Sequence, residues 1–95
     1  MTKKQFTYDD FYHCFSLLAD KKEAKDFLFD LCTEQELNSM KERLHVAILL
    51  EEGRTYRDIS KVTGSSTTTI TRVAKFINKS QNSGYRQVLR KREKN

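Results

Sequence analysis

Apolar residues recur at helical spacing along most of this chain, and short polar stretches rich in hydroxyl groups separate the runs. Phe11, Phe15 and Leu18 follow Thr7-Tyr8-Asp9-Asp10, a helix start whose two acids suit the positive end of the helix dipole. Ala24, Phe27, Leu28 and Leu31 fall on one side of a second helix over 21–31, with Asp20 as its cap. Thr33-Glu34-Gln35-Glu36 reads as a capping box, so a long helix follows over 34–52. Its stripe is Leu37, Met40, Leu44, Ala47, Ile48 and Glu51, and Val46, Leu49 and Leu50 widen the apolar surface until it nearly encircles the helix end. Such a helix is central in its own domain or shared across a dimer.

Thr55-Tyr56-Arg57-Asp58 opens a short helix that ends at Val62 or Thr63, where Gly64 stops it. Ser65 or Ser66 caps the next helix, and Ile70, Val73, Ala74 and Ile77 form its buried face. Tyr85, Val88 and Leu89 mark a last short helix that ends in a frayed basic tail. The pattern predicts an all-α fold of about six helices in a single domain, 1–95. Within it we expect N-terminal dimerisation helices over 8–53, a central segment over 55–77, and a C-terminal helix with basic tail over 84–95. The absence of proline and the scarcity of glycine agree, and each of Gly53, Gly64 and Gly84 is expected at a helix end.

Two short helices joined at a glycine, with Ile59 and Val62 on the first facing Ile70 and Val73 on the second, describe a helix-turn-helix whose second helix enters a DNA major groove. The second helix opens on Ser65-Ser66-Thr67-Thr68-Thr69, a poor helix-forming run whose cost needs an offset. DNA contact supplies one. Hydroxyls of Ser65 and Ser66 beside exposed helix N–H groups suit phosphates, and threonine methyls suit thymine methyls. Thr67, Thr68 and Thr71 lie opposite the apolar face and are assigned to base edges, whereas Arg57, Lys61 and Lys75 are assigned to phosphates.

Charge strengthens this reading. Residues 1–53 carry seven Lys/Arg against eleven Asp/Glu, whereas residues 54–95 carry eleven against two. A positive half is the footprint of a partner with condensed counterions, here double-stranded DNA. The alternative from another class is a helical dimer that acts as an interaction module, its basic half binding an acidic partner or DNA without sequence preference. An enzyme has little support, because His13 and His45 have no evident nucleophile or phosphate loop beside them. His13, Cys14, Cys32 and His45 lack zinc-ligand spacing, and two cysteines are too few for a disulfide scaffold, so neither metal nor disulfide is expected. Without an apolar run long enough for a bilayer or a signal peptide's apolar core, we expect a cytoplasmic protein with no membrane partner.

The residues Ile70-Thr71-Arg72, preceded by Gly64 and by the "YRDIS" helix, resemble the Trp repressor family, and more closely its shorter YerC/YecD branch. The similarity extends upstream through "LCTEQELNSMKERLHVAILLEEG" and covers most of the chain. It implies six helices, with the first three and the last interlocked between two subunits. It also implies a bacterial transcriptional regulator, a repressor of an amino-acid biosynthetic operon that binds a palindromic operator as a homodimer. The family's co-repressor pocket maps onto Thr33, Arg43 and Arg72, but Val73 stands where the family has glycine and Phe76 where it has serine. A valine in place of hydrogen overpacks a close-fitting pocket by about 1–3 kcal/mol, which argues against tryptophan as effector. Two readings stay open: Phe76 as a built-in wedge that makes binding independent of any ligand, or a pocket reshaped for another amino acid, with Arg43 and Arg72 as carboxylate holders. Arg72 is equally well placed for a phosphate.

Overall fold

The computed structural model describes residues 5–94, which form six α-helices and no strand. They are α1 (Tyr8–Ser16), α2 (Lys21–Leu31), α3 (Glu34–Glu51), α4 (Tyr56–Thr63), α5 (Thr67–Ile77) and α6 (Gly84–Lys94). The chain divides between Glu34 and Gln35 into two compact units. The second unit includes most of α3, which shares its core with α4, α5 and α6.

In the N-terminal unit, the α1 cap is a closed capping box. The Thr7 hydroxyl accepts the Asp10 N–H at 3.1 Å, and the Asp10 carboxylate accepts the Thr7 N–H at 2.9 Å. These bonds from the backbone and then the side chain of Thr7 hold the Asp10 carboxyl below its ordinary range. Asp20 caps α2 by accepting the Glu23 N–H at 3.0 Å. Phe15 meets Phe11 and Phe27 edge-on, at ring separations of 5.0 and 5.2 Å, and the second contact joins α1 to α2. Neither helix buries a residue, and Phe6, Tyr8, Tyr12, Leu17 and Phe29 remain exposed.

The second unit holds the core. Val46, Ala47 and Leu49 of α3 pack with Ile59, Ile70, Val73, Ile77 and Leu89, and Ile48, Leu50 and Tyr85 close its margin. Only the C-terminal half of the α3 stripe is buried, while Met40 and Leu44 remain open. Gly53 ends the helix at φ 83°, where the N–H groups of Gly53 and Arg54 bond back to the carbonyls of Leu50 and Leu49, a Schellman closure.

The α4 cap is Thr55, whose hydroxyl accepts the Asp58 N–H at 3.1 Å. Ile59 is buried as expected, but Val62 is 55% exposed. A helix this short turns one narrow side to its neighbour, and Thr63, four residues after Ile59, takes the inward place expected of Val62. Thr63 occupies it at low cost because its hydroxyl donates to the Ile59 carbonyl at 2.7 Å.

Gly64 adopts φ 75°, and a Cβ there would meet nothing within 4 Å. Its role is therefore conformational. Gly64→Ala should cost about 1–2 kcal/mol, the left-handed penalty of an L-residue, read as a lower urea midpoint.

After the turn, Ser66 caps α5 by accepting the Thr69 N–H at 3.2 Å. Ile70, Val73 and Ile77 form its buried side, with Ala74 partly covered. At the C-terminus α6 runs helically through the basic segment to Lys94, in place of the frayed tail expected from its charge. Good helix formers fill it, and Arg90 and Gln87 anchor it by donating to the carbonyls of Gln81 and Asn82 at 2.8 and 2.6 Å. Leu89 is buried, but Val88 is exposed. Gly84, unlike the other two glycines, begins a helix and has no positive φ.

Candidate nucleic-acid interface

Thr68, Thr71, Arg72 and Lys75 are all exposed, and their spacing of three, four and seven residues sets them in one row along α5. The buried residues of the same helix, Ile70, Val73 and Ile77, occupy the other side. Thr67 is exposed at the edge of the row, because one residue's rotation of about 100° separates it from Thr68. Arg57 and Lys61 of α4 are exposed as well. Asp58 is the one acidic side chain on these two helices.

The five-residue hydroxyl run divides by role. Ser66 and Thr69 are joined at 3.2 Å between their hydroxyls, so the cap offsets part of the poor helix propensity. Ser65 differs from expectation: it is only 5% exposed, so its hydroxyl is not presented to a phosphate. Its backbone is held by Ser60, whose hydroxyl donates to the Ser65 carbonyl at 2.9 Å, and by the Thr63 hydroxyl, which accepts the Ser65 N–H at 3.1 Å. Its own Oγ is buried and has no hydrogen-bond partner among the described residues.

Beside the α5 row lies an open cavity of about 790 Å³ between α3, α5, α6 and the α5–α6 loop. Arg43, Arg72, Val73 and Phe76, four of the five residues expected at an effector pocket, line it. Thr33 belongs to the N-terminal unit. The Arg72 guanidinium lies over the Phe76 ring, 5.1 Å from its centre. Val73 is 1% exposed and contributes its methyls to the hydrophobic core. Sequence reasoning missed Lys79 and Tyr85, which also line the cavity, because only the fold of α6 against α5 brings them there.

The Trp repressor protein family model matches residues 7–93. The chain belongs to that family. Trp repressor proteins are DNA-binding transcription regulators rather than enzymes. The uncharacterised YerC protein of Bacillus subtilis is 43% identical over 70 residues, covering 74% of this chain and 67% of that protein. Among solved structures, a candidate Trp repressor from Staphylococcus aureus superposes with a TM-score of 0.84 at 31% identity, over 95% of this chain and 89% of that one. A TrpR-like protein from Eubacterium eligens gives 0.81 at 40% identity, over 90% and 87%. The six-helix architecture is thus that of the Trp repressor family, and α4, the Gly64 turn and α5 form its helix-turn-helix.

Proposed function

We propose that the protein is a homodimeric, cytoplasmic repressor that recognises a palindromic operator, with the α5 helix of each protomer in a major groove. The observation that carries this reading is the α5 row of Thr68, Thr71, Arg72 and Lys75, exposed, free of acids and backed by a buried apolar side. Thr67, Thr68 and Thr71 read base edges through hydroxyls and methyls. Arg57, Lys61 and Lys75 hold phosphates and set the register of the helix on the duplex, assisted by the N–H groups at the α5 terminus beside Ser66. Ser65 acts inside the turn.

Support for a dimer comes from surface that one copy leaves uncovered. The N-terminal unit buries no helical residue and exposes several aromatic side chains, and α3 leaves Met40 and Leu44 open. Two α5 helices related by a two-fold axis would meet major grooves about 34 Å apart. A protection footprint on a bound duplex should therefore show two half-sites about 10 base pairs apart, centre to centre. A single protected half-site would contradict the dimeric reading.

The residue types at the effector pocket argue against tryptophan. Val73 stands where the family has glycine, Phe76 stands where it has serine and offers no hydroxyl, and Arg72 rests on the Phe76 ring. We therefore take operator binding to be independent of that amino acid, and the regulated genes to lie in amino-acid biosynthesis by family analogy. Millimolar tryptophan should change operator affinity by less than about twofold; tightening of about tenfold, 1.4 kcal/mol of coupling, would contradict this.

A further inference from the structure

The buried side of α5 is apolar, and apolar packing is non-directional, so it resists removal of the helix better than it resists rotation or sliding. Reading base edges needs more. A recognition group must be held within about 0.5 Å of its productive place. The C-terminal end of α5 carries a directional restraint, and it comes from Arg86 on α6.

The Arg86 side chain makes three contacts. Its Nε donates to the carbonyl of Ile77, the last residue of α5, at 2.9 Å. One terminal nitrogen donates to the Asn78 Oδ1 at 3.3 Å, on the residue that caps α5, and the other stands 3.4 Å from the Glu51 carboxylate, at the last residue of α3. Arg86 is half-buried, and its own N–H donates to the Ser83 hydroxyl at 3.3 Å. A planar guanidinium with several fixed donors satisfies an orphan helix carbonyl, the cap residue and a carboxylate on a third helix together. Its positive charge also complements the negative ends of the α3 and α5 dipoles.

We propose that Arg86 is a positioning residue for DNA recognition: it fixes the reading orientation of α5 by tying its C-terminus to α3 and α6. This inference rests on the proposed reading of α5 as the recognition helix. It assigns Arg86 no phosphate, although it belongs to the most basic segment of the chain.

The test uses the full-length protein, with Arg86→Gln, Arg86→Lys and the milder Asn78→Ala, which removes only the contact to the capping side chain. Hydrogen exchange without DNA decides the restraint. Amides in the last turn of α5 should lose protection about tenfold in Arg86→Gln while those of α4 stay unchanged, with Arg86→Lys and Asn78→Ala intermediate. Equal exchange in all four proteins overturns the restraint, as does a loss spread equally over α4 and α5. Affinity for a duplex selected by the parent decides the role. Arg86→Gln should lower the ratio of selected to unrelated DNA about tenfold, the cost of one mismatched base pair, with an unchanged salt slope. An equal loss on both duplexes, with the slope falling by about 0.9, would make Arg86 a phosphate contact and overturn the positioning role. If the parent prefers no duplex, the repressor reading fails, while the exchange result still stands for or against the tether.

Discussion

Replacing Ile70 with alanine is expected to lower the unfolding free energy by about 2–5 kcal/mol, the range for truncating a buried isoleucine to alanine. Ile70 is fully buried, and it belongs to a core that draws on α3, α4, α5 and α6. A cavity there is felt by every helix of the C-terminal unit. The fold has little to spare, because a domain's whole stability is about 5–15 kcal/mol. Urea unfolding should show a lower midpoint with an unchanged slope. Val62→Ala supplies the control: Val62 is largely exposed, so its loss should stay within about 0.5 kcal/mol although the residue is equally apolar. If the two substitutions cost the same, the inward face of the helix-turn-helix has been assigned wrongly.

Thr71→Ala should change the preference at one base pair by about 1–3 kcal/mol, with little change at the others. The substitution removes a hydroxyl and a methyl from the middle of the exposed α5 row but leaves the buried side intact. Alanine is also the better helix former, so a loss of recognition would not come from a weakened helix. Lys75→Ala provides the contrast. One full helical turn further on, Lys75 is assigned to a phosphate, so its removal should weaken all duplexes alike and reduce the salt slope by about 0.9. Competition binding across single-base variants of a selected duplex separates the two outcomes. If both mutants discriminate as the parent does, α5 does not read the groove.

Local chemistry explains why much of this fold was legible before the structure. Asp20 and Thr55 are short-range caps, and each stands where its hydrogen bond can be anticipated from residues three positions away. Gly64 was legible for the same reason, since a left-handed residue between two amphipathic segments favours glycine. Ile59, Ile70, Val73 and Ile77 followed from period alone.

What escaped depended on neighbours distant in sequence or on competition for one place. Val62 and Thr63 both suit an inward position, and the hydrogen bond to Ile59 favours threonine. Ser65 and Ser66 are interchangeable as caps until the turn geometry draws one inside. The continuation of α6 was obscured by its charge, which reads as a solvated tail until Arg90 and Gln87 are seen anchored to the loop. Arg86 was hidden most completely. Within a basic run nothing distinguishes it from its neighbours, and its role is created by Ile77, Asn78 and Glu51 meeting around it.

Selection from a library of random duplexes by the purified protein, at about 150 mM salt where non-specific binding is already weakened, tests the central claim most directly. Sequence-specific recognition through α5 predicts enrichment of a short palindrome with half-sites about 10 base pairs apart, lost or altered with Thr71→Ala. A bound pool as random as the starting library would contradict it, and would mean that the basic half of the chain meets something other than a specific operator.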